Sequence, residues 1–114
     1  MTSGYSRIML IGNDTTLTYL IRRYAEQGGY ELTLLSTAPS GDEACDLKPA
    51  AILFTSIEQL EAAQSLVKDL TNCDIPVLVY SSAADEMRAQ EIGADRCLTQ
   101  PLTYESFLES LQFH

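Results

Sequence analysis

Short apolar runs alternate with longer stretches of helical period along the whole chain, and this alternation constrains the fold more than any single residue does. Residues 7–11 read as a buried strand. Asp14 or Thr15 can cap a helix that runs to about Gln27, with Leu17, Leu20, Ile21 and Tyr24 on one face, and Gly28-Gly29 stops it. Residues 30–35 form a second strand; Ser40-Gly41-Asp42-Glu43 then resembles a capping box and opens a short helix ending before Pro49. Residues 51–55 are the third strand, and 57–70 carry a helical stripe of Leu60, Ala63, Leu66, Val67 and Leu70. The fourth strand spans 75–80, with Pro76 near its start, where a missing donor is tolerated. A fourth helix over 84–92 closes at Gly93, a fifth strand covers 96–98, and a last helix over 103–111 turns Phe107, Leu108 and Leu111 inward.

Strand then helix, repeated in this way, implies an α/β domain whose parallel sheet is covered on both faces. Right-handed crossovers leave few topologies open. At 114 residues the chain is long enough for one compact domain and too short for two. No linker, repeat or low-complexity segment interrupts it, so residues 1–114 read as a single domain, with 1–6 as a short flexible lead-in.

Composition removes several function classes. A net charge of −9 argues against a phosphate backbone as partner, which needs clustered Lys and Arg. The adjacent pair Arg22-Arg23 reads as a solvated surface pair, and the acids fall mostly on helices, as solvated faces. No apolar run approaches the roughly 20 residues that cross a bilayer. The start lacks the apolar stretch of a secretory signal, which makes a cytoplasmic protein the expectation. Cys45, Cys73 and Cys97 are widely spaced, no CxxC occurs, and the sole histidine is His114, so neither metal nor haem ligation is expected. Reduced, partly buried thiols are the expectation for all three cysteines.

Two segments carry a family resemblance. Ile75-Pro76-Val77-Leu78-Val79-Tyr80-Ser81 is similar to the fourth strand of response-regulator receiver domains with its terminal Ser/Thr. Gly93-Ala94-Asp95-Arg96-Cys97-Leu98-Thr99-Gln100-Pro101-Leu102 resembles their Gly-Ala-Asp turn, fifth strand and Lys-Pro corner. The likeness runs from Arg7 to the C-terminus. It implies a flavodoxin-like (βα)5 three-layer sandwich, with a five-stranded parallel sheet in the order 2-1-3-4-5. It also implies a cis peptide at Gln100-Pro101, since the corresponding Lys-Pro bond of receivers is commonly cis.

An active receiver uses an acidic pair after the first strand to hold Mg²⁺ and an Asp ending the third strand to accept the phosphoryl group. A Ser/Thr after the fourth strand and a Lys after the fifth complete the set. The chemistry needs them because the charge on a phosphoryl group in transfer must be neutralised. In this sequence the acidic pair aligns with Gly12-Asn13, with Asp14 one place further on. A register shifted by one residue would instead present Asn13-Asp14. The acceptor position holds Thr55, and no acidic residue lies between Lys48 and Ile57. Gln100 stands at the Lys position, Cys97 at the aromatic switch position, and Ser81 alone matches its role.

The sequence therefore reads as a degenerate receiver, or pseudo-receiver. Such a domain serves two-component signalling as a phosphorylation-independent protein–protein interaction module, not as an enzyme, and it carries no cofactor. Its partner is a signalling protein, its own effector domain or a second copy, met at a surface of Met87, Glu91, Arg96, Tyr104 and Leu108. A small ligand sensed in the emptied pocket at the strand ends is the competing reading. A phosphoreceiver with unusual ligands, working in a phosphorelay, is a third. Thr55-Ser56 beside Ser81 does not suggest a nucleophile, since no base accompanies it. Gly12-Asn13-Asp14 lacks the spaced glycines of a nucleotide cradle.

Overall fold

The computed structural model describes residues 6–112. Five strands, β1 (Ser6–Ile11), β2 (Tyr30–Leu35), β3 (Ala51–Phe54), β4 (Val77–Tyr80) and β5 (Arg96–Leu98), form one sheet in the order β2-β1-β3-β4-β5, and every neighbouring pair is parallel. The helices are α1 (Thr15–Gln27), α2 (Gly41–Leu47), α3 (Ile57–Ala62), α4 (Gln64–Asn72), α5 (Glu86–Glu91) and α6 (Tyr104–Ser110). This is the architecture and strand order expected from the sequence. The proposed lead-in at 1–6 falls outside the described residues except for Ser6, which begins β1.

Alternation along the strands divides the core into two layers. Met9, Ile11, Ile52, Phe54, Val77 and Val79 face one side, where they pack with Ala44, Leu60, Leu66, Val67, Leu70 and Ala89 of α2 to α5. Ile8, Leu10, Leu53 and Leu78 face the other and meet Leu17, Ile21 and Ala25 of α1 and Phe107 of α6. The three central strands are buried throughout most of their length, as a parallel sheet covered on both faces requires. Among the described residues, no helix is long and apolar enough to cross a membrane.

The local signals work as sequence chemistry dictates. Asp14 caps α1, its Oδ1 accepting from Leu17 N–H at 2.9 Å. Ser40 and Glu43 form the reciprocal box that starts α2. Gly28 caps α1 and Gly29, at φ +80°, turns the chain into β2.

Two helices differ from expectation. The stripe over 57–70 is a broken helix, because Ala63 leaves helical geometry (φ −115°, ψ 31°) between α3 and α4. The break frees the Leu60 carbonyl, which accepts instead from Ala63 N–H at 3.1 Å and from the Gln64 amide at 3.1 Å. The same amide donates to Ile92 O at 2.8 Å and ties the break to the end of α5. The expected helix over 84–92 begins as a 3-10 turn at Ala83–Asp85 and becomes α-helical only from Glu86. β4 is also shorter than expected. Pro76 cannot donate, but its carbonyl accepts from Ile52 N–H at 3.0 Å, so pairing with β3 starts just before the regular strand.

For Cys45 and Cys73 the expectation of reduced thiols is overturned. Cys45 of α2 and Cys73, the cap of α4, form a disulfide with a Cα–Cα distance of 6.1 Å. They are 28 residues apart in sequence, and only the lateral packing of α2 on α4 brings them together. Cys97 is the free cysteine.

Candidate functional site

The carboxyl ends of β1, β3, β4 and β5 lie side by side, so the residues that follow them share one edge. Backbone bonds carry the strand pairing one step past each end. Gly12 N–H donates to Leu35 O at 2.9 Å, Thr55 N–H to Ile11 O at 3.0 Å and Ser81 N–H to Leu98 O at 2.9 Å. Gly12, Thr55 and Ser81 are thereby fixed by the sheet itself, with Thr55 and Ser81 buried. Asn13 and Asp14, which follow Gly12, and Gln100, which follows β5, are exposed.

Gly12 and Thr55 are packed against each other. Gly12 sits at φ +144°, where only glycine is at ease, and a Cβ at that position would fall 2.8 Å from both Cβ and Cγ2 of Thr55. The Thr55 side chain thus fills the space that a side chain at position 12 would need. Asp14 is engaged in capping α1, and the Ser81 hydroxyl donates to Ser82 O at 3.3 Å. Ser56 caps α3 through Gln59 N–H at 3.2 Å, which gives that hydroxyl a structural task.

The Gln100-Pro101 peptide is cis, as the resemblance implied. Beyond it the Leu102 carbonyl accepts from the Tyr24 hydroxyl at 3.2 Å, which fastens the turn to α1. Between α1 and this turn runs an open groove of about 440 Å³. Asp14, Tyr80 and Gln100 give it polar groups, and Leu17, Leu20 and Leu102 an apolar floor. Sequence reasoning had placed Asp14 and Gln100 at the strand ends but missed Tyr80 and Leu20. Their signal was position alone, one residue before Ser81 and on the inner stripe of α1.

Cys97 is half-buried, because β5 is a short edge strand. Burial raises its thiol pKa, while a hydrogen bond with Ser81 works in the opposite direction. The sulfur also lies 3.9 Å from the Glu86 carbonyl at the start of α5.

The residues expected to share a partner surface divide between two faces. Met87 and Glu91 are exposed on α5, and Met87 is the most exposed of the large apolar residues among those described, at 76%. Arg96 reaches from β5 to α6, donating to Glu109 O at 2.9 Å. Tyr104 and Leu108 turn to α1 instead. The Tyr104 ring lies 5.7 Å from that of Tyr24, and Leu108 lies close beside Gly28. On α1, Arg23 donates to the Tyr19 hydroxyl at 3.0 Å and stacks over its ring, while Arg22 is exposed.

No family model and no curated protein sequence matches the chain. Solved structures do. The chain resembles the receiver domain of a sensor histidine kinase from Pseudomonas aeruginosa PAO1, which holds a magnesium ion in its active-site cleft. Identity is 18%, the match covers 96% of each chain, and the TM-score is 0.70. A CheY-like response-regulator receiver domain protein from Methanospirillum hungatei is 19% identical over 95% of this chain and 91% of that one, with a TM-score of 0.68. The receiver domain of a Saccharomyces cerevisiae response regulator, solved with a histidine phosphotransfer signalling protein, is 12% identical over 94% and 86%, with a TM-score of 0.69. The fold is that of response-regulator receiver domains.

Proposed function

We propose that this domain is a pseudo-receiver, a signal-transduction module that binds protein partners without being phosphorylated. The observation that carries the reading is the packing of Gly12 on Thr55. A receiver's metal and phosphoryl group need carboxylates at these two places, and here a buried hydroxyl fills the volume that a carboxylate at position 12 would require. The residues do not fit Mg²⁺, which takes carboxylate oxygens along with its waters. Gly12 and Thr55 supply none, and Asp14 is exposed and bound to the α1 backbone. Gln100 brings no cation to offset transferred charge.

The test is incubation with acetyl phosphate and Mg²⁺, followed by mass spectrometry of the intact chain. No acid-labile adduct and no saturable Mg²⁺ shift of the Asp14 resonance are expected. A stoichiometric adduct would instead favour a phosphoreceiver with unusual ligands. With phosphorylation excluded, partners drawn from signalling proteins are sought by co-purification with the native host's components, and the exposed α5 face around Met87 and Glu91 is the first to substitute.

The groove beside Asp14, Tyr80 and Gln100 favours a second reading, in which a small ligand is sensed at the strand ends. A thermal-shift screen against metabolites separates the two, because a ligand held by the native state raises its melting temperature.

A further inference from the structure

We propose that the Cys45–Cys73 pair is a reversible thiol–disulfide switch that holds or releases α2. α2 and α4 touch at two levels one helical turn apart. At the first, Gly41 packs so closely on Asp69 that a Cβ there would lie 2.6 Å from the Asp69 Cβ. At the second, four residues on in both helices, the disulfide joins Cys45 to Cys73. α2 has little else to hold it. It is 7 residues long and Ala44 is its one buried residue. A helix that short does not persist on its own in water and depends on packing. Its other support, the Ser40–Glu43 box, is internal to the segment and does not anchor it to the sheet.

Cys73 is exposed and Cys45 half-buried, so a thiol in solution meets the bond at Cys73. Its thiolate attacks the Cys73 sulfur, the S–S bond breaks, and Cys45 leaves as a thiolate that takes up a proton. A second thiol resolves the mixed disulfide, leaving two protein thiols and one small-molecule disulfide, a two-electron exchange. Glutathione disulfide or a comparable oxidant runs the sequence backwards. Ala44 and Cys45 share one apolar cluster with Leu66 and Leu70, so release of α2 bares that edge of the core. The strands are buried independently of the bond and keep their structure, which makes the opening local.

Hydrogen exchange of the full chain, read by mass spectrometry, tests this in three states: oxidised with glutathione disulfide, reduced with dithiothreitol, and re-oxidised. Cys97→Ser serves as the background so that no other disulfide can form. Reduction is expected to lower protection of amides 41–48 by about tenfold or more, to leave β1, β3 and β4 protected, and to reverse on oxidation. A Cys45→Ser/Cys73→Ser variant is expected to match the reduced form under all conditions. Equal protection of α2 in both forms overturns the proposal. So does loss of protection across the whole sheet, which would make the bond a global staple. Two alkylatable thiols at 45 and 73 after equilibration with glutathione disulfide would overturn it as well.

Discussion

Gly12 and Thr55 compete for one volume: the Cβ that Gly12 lacks would lie 2.8 Å from two carbon atoms of the Thr55 side chain. The positive φ of Gly12 adds a second obstacle to any larger residue. Gly12→Ala is therefore expected to destabilise the domain by about 3 kcal/mol, from overpacking and backbone strain together. In a Thr55→Gly background the collision is gone, and the same change is expected to cost only about 1–2 kcal/mol. Urea unfolding of the four proteins of this cycle measures the coupling. Equal costs in both backgrounds would mean that the two residues do not share space.

Restoring a single carboxylate is not expected to restore chemistry. Thr55→Asp places a charge at a buried position against Gly12, and neither Ser81 nor Gln100 at the neighbouring strand ends brings a cation. A loss on the order of 3 kcal/mol at neutral pH is expected, the usual scale for an uncompensated buried charge. Acetyl phosphate with Mg²⁺ is expected to leave this variant unmodified. An aspartyl phosphate on it would sink the argument that positions 12 and 100 withhold necessary charge.

Asp95 is expected to matter for stability although it is exposed. Its Oδ2 accepts from Val77 N–H at 2.7 Å, and its own N–H donates to Val77 O at 2.7 Å. The carboxylate thus satisfies the first donor of β4, next to Pro76, which has none. Asp95→Ala leaves that buried donor unpaired and is expected to cost about 1–3 kcal/mol. Asp95→Asn, which keeps an acceptor oxygen, is expected to lie between the two. Chemical denaturation decides, and an unchanged midpoint for Asp95→Ala would refute the role.

What was legible in the sequence is what depends on local period and local chemistry. The alternation of strands and helices and the caps at Asp14 and Ser40 were written in apolar spacing and in residue types that act within a turn, whereas the strand order was implied by the family resemblance. The contact of Gly12 with Thr55 follows from the topology, since the ends of adjacent parallel strands β1 and β3 must meet. Lateral contacts between distant helices were not legible. The disulfide depends on α2 leaning against α4, which no spacing rule encodes. The break at Ala63 depends on Gln64 reaching the end of α5, 28 residues away. Tyr104 and Leu108 turned to α1 for a similar reason. The helical stripe turned Leu108 inward and left Tyr104 without a neighbour, and only packing decides what each one meets.

Cys97 gives a stability test with a defined sign. Burial raises its pKa above that of the unfolded chain, with a smaller opposing contribution from Ser81. At neutral pH the thiol is protonated in both states and favours neither. As pH rises past the unfolded value, the unfolded chain loses this proton first, and stability falls until the folded thiol ionises too. Cys45 and Cys73 do not titrate while bonded, so Cys97 is the thiol that reports. Unfolding midpoints from neutral pH to about pH 10, where free thiols ionise, are expected to fall more steeply for the native sequence than for Cys97→Ser. Alkylation of Cys97 is expected to be slower in the native protein than in urea, since only the thiolate reacts and burial disfavours it. Parallel pH profiles for the two proteins, or alkylation equally fast in both states, would place the sulfur in open solvent and contradict its seat between Ser81 and α5.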